Sequence, residues 1–217
     1  MSVTCQVKNY KALRKQIDGM KKAPRKVVKA ITSDAKKRVP GWVAAEVSKV
    51  YGVKKGEITG QKIGTVKPRG ESIEQVQIVY TGRVLTPTHF GMRPGTPKPN
   101  GGSYTLKYRV VEQTQSKVKK LTKKQRAALA KNFTRSGSQK SDHSPIMLMH
   151  TGNARSDGTS YIPFQRKSAD RDNVEAIKTV SLPQMVSSER VEAGIQTAIN
   201  NGIGKRLDHH MKRYMGK

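Results

Sequence analysis

Residues 187–214 read SSERVEAGIQTAINNGIGKRLDHHMKRY, and an apolar side chain recurs there at every fourth position: Val191, Ile195, Ile199, Ile203, Leu207 and Met211. This spacing predicts a long C-terminal helix with one apolar face. Ser187 or Ser188 is suited to cap its N-terminus, and Glu189 is favourable in its first turn. Because each step of four residues drifts by about 40° around a helix, the apolar face winds about halfway round. We therefore expect one end to pack on its own domain and the other on a different partner.

Two glycines, Gly202 and Gly204, lie inside this predicted helix. Each costs about 1 kcal/mol of helix stability relative to alanine. We expect them to mark either a bend in the helix or a close contact with another backbone.

The N-terminal part of the chain, residues 9–52, is also predicted to be helical. Its apolar residues follow three- and four-residue spacings in three runs, which are Tyr10, Leu13, Ile17 and Met20; Val27, Val28, Ile31 and Ala35; and Trp42, Val43, Val47, Val50 and Tyr51. Pro24 suits the first turn of the second run. Pro40 and Gly41 predict a break between the second and third runs, so the segment is interpreted as three short helices.

Residues 62–180 are predicted to be mainly β, with a short helix near 122–131. Val76, Ile78 and Tyr80 alternate as one face of a strand does. Thr122 and Gln125 have the spacing of a capping box. Further strand signals lie at residues 2–8, 62–67, 104–113, 146–150, 161–165 and 175–180. The sequence thus predicts one α+β domain over residues 1–217, with a single antiparallel sheet packed against N-terminal helices and a long C-terminal helix over 187–214.

The net positive charge of the chain indicates a polyanionic binding partner. The formal net charge is +28, from 43 Lys and Arg against 15 Asp and Glu. Residues 1–60 carry 15 basic and 4 acidic residues, residues 61–140 carry 17 and 3, and residues 141–217 carry 11 and 8. An excess this large is costly for an isolated compact protein, so nucleic acid or acidic subunits are the expected partners. Only 5% of residues are aromatic, which favours a subunit that buries further surface in an assembly.

Cysteine content and hydropathy predict a protein that is neither secreted nor inserted in a membrane. Cys5 is alone, so no intrachain disulfide is possible. The N-terminus lacks the apolar core of a signal peptide, and no stretch approaches the roughly 18 apolar residues of a membrane span. We expect a protein made in a reducing cytoplasm that does not contact membranes.

Several blocks of the chain, taken in order, resemble the prophage minor tail protein Z family. The blocks are VPGWVAAEVSKVYGVKKGEI at 39–58, LTPTHF at 85–90, YTLKYRVV at 104–111, FQR at 164–166, VSLPQMV at 180–186 and KRLDHH at 205–210. The most specific are the stretches Tyr51-Gly52-Val-Lys-Lys and Ser-Leu-Pro183-Gln184-Met185. Seven residues carry the resemblance, and the resemblance implies a role for them in assembly. They are Tyr51, Gly52, Phe90, Pro183, Gln184, Met185 and Leu207.

This resemblance implies a structural virion protein of a tailed bacteriophage and not an enzyme. Members are minor tail or tail-completion proteins, expected as a ring at the head-proximal end of the tail, where it joins the neck. A hexamer follows by analogy with tail symmetry. The implied partners are other copies of the chain and tail or neck proteins such as the terminator, tube or connector. The subunit would be synthesised in the bacterial host cytoplasm and would lie close to the genomic DNA in the virion.

The densest basic run is the candidate for DNA contact. It comprises Lys117, Lys119, Lys120, Lys123, Lys124 and Arg126. Neutralised phosphates would release counterions and give binding without sequence preference. The alternative is a solvated or subunit-facing surface, as charge runs often are. A free, sequence-independent nucleic-acid-binding protein is the rival function that the charge supports.

No catalytic, metal or cofactor site is predicted. His89, His143, His150, His209 and His210 do not form an HExxH motif, and the adjacent pair on the last helix should point in different directions. No G-x-S-x-G nucleophile elbow occurs, and paired carboxylates for a nuclease metal site are not evident. A nuclease is therefore a remote alternative.

Two segments could serve either the internal structure of the domain or its contacts with partner subunits. Pro183, Gln184 and Met185 are interpreted mainly as a strand-to-helix turn, with the proline fixing φ and the methionine filling the core. A dedicated partner site is the alternative. The long loop at residues 91–103 is predicted to be an arm that reaches a neighbouring subunit.

Overall fold

The protein has an α+β fold, as the sequence predicts. The structure is a computed structural model that describes residues 2–6, 11, 15, 17, 24–72, 75–97, 106–111, 114–118, 146–151, 161–166 and 174–215. Sequence analysis treated residues 1–217 as one domain, whereas the chain groups into two compact units. Unit 1 combines both ends of the chain, Met1–Val84 and Val180–Lys217, and unit 2 is Leu85–Thr179.

Two helices of 27 residues each dominate unit 1. The α-helices are α1 (Pro24–Val50), α2 (Lys55–Thr59), α3 (Leu182–Val186) and α4 (Glu189–Met215), and a 3-10 helix spans Pro87–Phe90. Lys11, Lys15 and Ile17 are helical as well. The C-terminal helix predicted over 187–214 is confirmed as α4.

The strands are short and pair antiparallel throughout. They are β1 (Ser2–Gln6), β2 (Thr65–Arg69), β3 (Gln77–Thr81), β4 (Leu106–Val111), β5 (Thr114–Val118), β6 (Ile146–His150), β7 (Tyr161–Arg166) and β8 (Val174–Ala176). The described strands form three small sheets, β1-β3-β2, β4-β5 and β6-β7-β8, where one sheet was predicted. The helix predicted near 122–131 lies outside the described residues.

Helices α1 and α4 pack against each other through matching rows of apolar residues. In α1 the buried row is Val27, Ile31, Ala35, Val39, Val43 and Val47, and in α4 it is Val191, Ile195, Ile199, Ile203 and Leu207. Side chains four residues apart form the ridges by which helices interlock. Leu207 is only 1% exposed within the chain itself. The expectation that the far end of this row packs on another partner is therefore wrong for residues 191–207.

The two long helices run antiparallel. Asp34 near the start of α1 contacts Arg206 and His210 near the end of α4. Farther along α1, Trp42 lies against Gly202 and Glu46 against Gly194. The residue numbers thus rise along one helix as they fall along the other.

Pro40 lies inside α1, so the predicted break at Pro40 and Gly41 is wrong. A proline in a helix interior costs about 3 kcal/mol, because it lacks an N–H and crowds the preceding turn. Val43 and Val47, which follow it, are fully buried. Each contributes about 1.5 to 3 kcal/mol of burial free energy, which offsets that cost. Tertiary packing therefore keeps the helix continuous where the local signal predicts an end.

The sheet of unit 1 presents one apolar face to the core. Val76, Ile78 and Tyr80 are at most 2% exposed, as their alternation predicts. The middle strand β3 pairs with β1 on one side, Val3 opposite Tyr80, and with β2 on the other, Val66 opposite Tyr80. Helices α1 and α3 both contact this sheet.

Unit 2 has a small core. Met92, Leu106 and Leu148 are buried together, and Tyr108, Tyr161 and Ile177 pack against them. The two ends of the unit are held to each other, because the backbone N–H of Thr179 donates to the carbonyl oxygen of Leu85 at 2.7 Å. The predicted strand at 146–150 is confirmed with the same bounds, while β5 was not predicted.

Candidate functional site

The Ser-Leu-Pro-Gln-Met stretch forms α3, a short capped helix where a turn was predicted. Ser181 is its N-cap, and the Gln184 side chain returns a hydrogen bond by accepting from the Ser181 N–H at 2.8 Å. This reciprocal pair is a capping box, and it satisfies two backbone donors at the start of the helix. Pro183 fits the first turn because the amide donors there have no partner within the helix.

Helix α3 is a packing element at the centre of unit 1. Leu182 and Met185 are fully buried, which confirms the prediction that the methionine fills the core. Pro183 is buried too, whereas the Gln184 side chain is exposed. The helix contacts β1, β3, α1 and α4. Its residues therefore set how the two long helices meet the sheet.

The other residues singled out by the family resemblance are also largely internal. Tyr51 is 6% exposed and Leu207 1%, and both lie in unit 1. Gly52 follows the end of α1 in a bend. Phe90 is 1% exposed at the end of the 3-10 helix of unit 2. The structure thus brings Tyr51, Leu207 and α3 into one unit and leaves Phe90 in the other.

Of the basic run predicted to contact DNA, the structure describes only the first residue, Lys117. The backbone of Lys117 belongs to β5 and pairs with Lys107. The remaining candidates, Lys119, Lys120, Lys123, Lys124 and Arg126, lie outside the described residues. Their role stays a prediction.

The start of the predicted interaction arm is held against a strand. Arg93 and Lys107 of β4 exchange two backbone hydrogen bonds of 2.8 Å each. Met92, beside it, is part of the core of unit 2. Met92 and Arg93 are therefore attached to their own unit, and residues 98–103 lie outside the described part of the chain.

A partly buried ionic cluster joins the two long helices. The carboxylate of Asp34 accepts from Arg206 Nε, lies 2.9 Å from His210 Nε2 and accepts from Arg38 Nε at 3.4 Å. Its side chain is 16% exposed. Burial raises the pKa of Asp34, but the hydrogen bonds from Arg206 and His210 outweigh it and lower the pKa from 3.8 to about 2. The carboxylate is therefore ionised at neutral pH.

His210 is fixed in orientation by this cluster. Since an ionised carboxylate only accepts, Nε2 of His210 carries the proton that it donates to Asp34. The ring stacks on Tyr214, with centroids 6.2 Å apart. Its Nδ1 is buried and has no hydrogen-bond partner among the described residues. The ring of His209 lies edge-on to the ring of His210, with centroids 5.3 Å apart.

Gly202 provides the close contact that the sequence predicts, but the neighbour is a ring and not a backbone. A Cβ at this position would lie 2.5 Å from Cη2 and Cζ3 of Trp42. At Gly204 a Cβ would meet nothing within 4 Å. The first glycine is therefore required by packing against α1, and the second is not.

Two features were missed by sequence reasoning. The capping box at Ser181 and Gln184 has the S-x-x-Q spacing that marks a helix start, so its signal was present. The Asp34 cluster had no such signal, because its partners are 172 and 176 residues away in sequence. Only the tertiary fold brings these charges together.

Within the described part of the chain, no group of three or more His, Cys, Asp or Glu side chains could hold a metal ion. None of the described helices is long and apolar enough to cross a membrane.

Comparison of the chain with protein-family models, with curated proteins and with solved structures finds no match.

Proposed function

We propose that the chain is a structural subunit of a tailed-bacteriophage virion. It is a minor tail or tail-completion protein that forms a ring at the head-proximal end of the tail and joins the tail to the neck. The observation that carries the proposal is the order of sequence blocks that resemble the minor tail protein Z family, ending in Ser-Leu-Pro-Gln-Met.

The packing of these blocks agrees with a structural role. Residues that carry the resemblance, such as Met185 and Leu207, are buried and hold helices and sheet together. A protein that acts by its shape has most reason to keep its internal packing, because shape complementarity at subunit contacts depends on it.

The proposal is tested in a lysogen that carries the gene. Particles purified after induction should contain the chain, as measured by mass spectrometry, and electron microscopy should place it where tail meets neck. Deleting the gene should leave filled heads and tails that fail to join, and a plasmid copy should restore joined particles. Absence of the chain from purified virions, or normal joining without the gene, would overturn the proposal.

A free nucleic-acid-binding protein is the second candidate, and the net charge of +28 is the observation that favours it. Such a protein should bind duplex tightly as a monomer or dimer at physiological salt. It should also remain in the cell lysate and be missing from virions. The same purified particles therefore separate the two functions.

A further inference from the structure

The charge of the two long helices is concentrated at one end of the pair. Residues 24–38 of α1 and 203–215 of α4 together hold ten basic and two acidic residues, a net charge of +8. The remaining parts, 39–50 and 189–202, hold two basic and three acidic residues. Because α1 and α4 are antiparallel, the two basic segments lie together. We name this region the basic end; its basic residues are Arg25, Lys26, Lys29, Lys36, Lys37, Arg38, Lys205, Arg206, Lys212 and Arg213.

Most of these charges are exposed and form no ion pair with another described residue. Arg25, Lys26, Lys29 and Lys37 are exposed, and none of them has an ion-pair partner among the described residues. Of the two acidic residues, Asp34 is already engaged by Arg206, Arg38 and His210. By contrast, Lys49 at the other end of α1 is paired with Glu46 at 2.6 Å.

The basic residues in the first two turns of α1 do not stabilise the helix. The first turn of α1 carries Arg25 and Lys26 and no acidic residue, so these charges oppose the helix dipole. Lys29 follows them at the three- and four-residue spacings that place like charges side by side on one helix face. Such an arrangement is unfavourable in isolation. It becomes favourable when an anionic partner covers the face.

The partner that fits is a polyanion and not a second copy of this chain. The opposite end of the helix pair has an excess of only one acidic residue, too few to neutralise a charge of +8. From Arg25 to Lys37 the exposed charges extend about 18 Å along the helix axis. Duplex DNA offers one negative charge per about 1.7 Å of its axis, so it can engage many of them together.

We propose that the basic end of the α1–α4 pair binds the phosphate backbone of duplex DNA without sequence preference. Tyr214 is the only aromatic residue in these two helix segments, so base stacking is not expected. The choice of duplex DNA as the polyanion rests on the proposed function, since a subunit near the tail–neck junction would meet the packaged genome. The basic end itself is defined by charge and helix packing alone.

The test compares three triple substitutions in the full chain, each removing three lysines. The first, K29Q/K37Q/K212Q, lies in the basic end; all three side chains are exposed. The second, K54Q/K55Q/K62Q, removes exposed lysines elsewhere in unit 1. The third, K119Q/K120Q/K123Q, lies in the basic run predicted from sequence. Circular dichroism and thermal unfolding confirm that each variant is folded before binding is measured.

Fluorescence anisotropy with two unrelated duplexes is measured between about 50 and 200 mM salt. The first variant should weaken binding at least about tenfold and reduce the slope of log K against log salt by about 2 to 3, for three lost phosphate contacts. The second variant should change both the binding constant and the salt slope by less than the first variant does. Both duplexes should give the same constants.

Three results would overturn the inference. Equal losses in the first and second variants would mean that only total charge matters. Loss confined to the third variant would place the contact in residues 117–126. Absence of binding by the unaltered chain at low salt would leave an acidic protein as the partner. Presence in virions is measured separately, so binding by a chain absent from virions contradicts the proposed function and not the basic end.

Discussion

Gly202 lets the two long helices approach because it has no side chain where the Trp42 ring lies. A Cβ would come within 2.5 Å of ring carbons that are too rigid to move aside easily. Gly202→Ala gains about 1 kcal/mol of helix propensity but incurs an overpacking cost of 1 to 3 kcal/mol or more. We expect the free energy of unfolding to fall by about 1 kcal/mol on balance, and by about 2 kcal/mol at the upper end of the overpacking cost, measured by urea denaturation.

Gly204 on the same helix supplies the matched control, since a Cβ there meets nothing within 4 Å. Gly204→Ala should stabilise the protein by up to about 1 kcal/mol. Placing Gly202→Ala in a Trp42→Ala background should remove most of its penalty, because the obstructing ring is gone. Equal effects of alanine at the two glycines would contradict the packing explanation.

The ionisation of Asp34 makes the free energy of unfolding depend on pH in the acid range. Its pKa in the folded protein, about 2, is below the ordinary 3.8, so folding favours the ionised carboxylate. The resulting stability is fully present above about pH 4 and is lost as the pH falls through about 2. Asp34→Asn should lower the free energy of unfolding at neutral pH by about 1 to 2 kcal/mol, and the difference should shrink across that acid window.

Asp208→Asn removes an exposed carboxylate from α4, the helix that supplies Arg206 and His210, and controls for the loss of a negative charge near the basic residues. Denaturation curves for both variants between pH 2 and 7 make the comparison. An Asp34→Asn difference that stays constant down to about pH 2 would show that the ion cluster does not favour the ionised carboxylate.

At the residue level the sequence predicts which side chains are buried better than it predicts which residues contact each other. Val76, Ile78, Tyr80 and Met185 were expected to be internal, and they are. Periodicity reports which face a residue occupies, and that face is buried whatever covers it. It does not report which distant residue lies opposite, so Trp42 beside Gly202 and Arg206 beside Asp34 could not be deduced.

Helix α4 is held within its own unit as far as its second-last turn. Leu207 and His210 are at most 5% exposed, and Arg206 and His210 satisfy Asp34. Removing residues 204–217 should therefore cost about 5 kcal/mol or more, enough to unfold a typical domain. This reverses the expectation from sequence that the helix end serves mainly assembly.

Removing only residues 212–217 is the control, because Lys212 and Arg213 are exposed. Urea midpoints and far-ultraviolet circular dichroism of the purified chains give the readout. A 204–217 deletion that keeps the midpoint of the full chain, while failing to assemble, would restore the original expectation.

At the element level, single elements were predicted well and their continuity was not. Strand β6 and helix α4 follow from strict apolar patterns within one segment. Helix α1 was divided at Pro40 because the local cost of proline is visible in sequence, while the burial of Val43 and Val47 that offsets it is not. Most strands lie within a few residues of their predicted positions, but β5 and the division of the strands among three sheets were not predicted.

The molecule as a whole is a discontinuous unit 1 into which the sequence of unit 2 is inserted. Val84 and Ser181 form an antiparallel bridge, so the two ends of unit 1 that flank the insertion are neighbours. Their separation is about 5 Å, a distance that a tight turn closes. Sequence analysis could not detect this, since no composition change or linker marks either boundary.

This arrangement predicts that unit 1 folds without unit 2. Replacing residues 85–179 by a short glycine-rich turn should leave a chain that unfolds cooperatively and retains α1, α3 and α4, because the described core of unit 1 lies within Met1–Val84 and Val180–Lys217. The control replaces residues 85–186 and so also removes Leu182 and Met185, which are fully buried. That loss should cost about 4 kcal/mol or more and prevent folding. If the shorter replacement also fails to give a cooperative transition, then the two units depend on each other for folding and the insertion boundaries are not those of an autonomous unit.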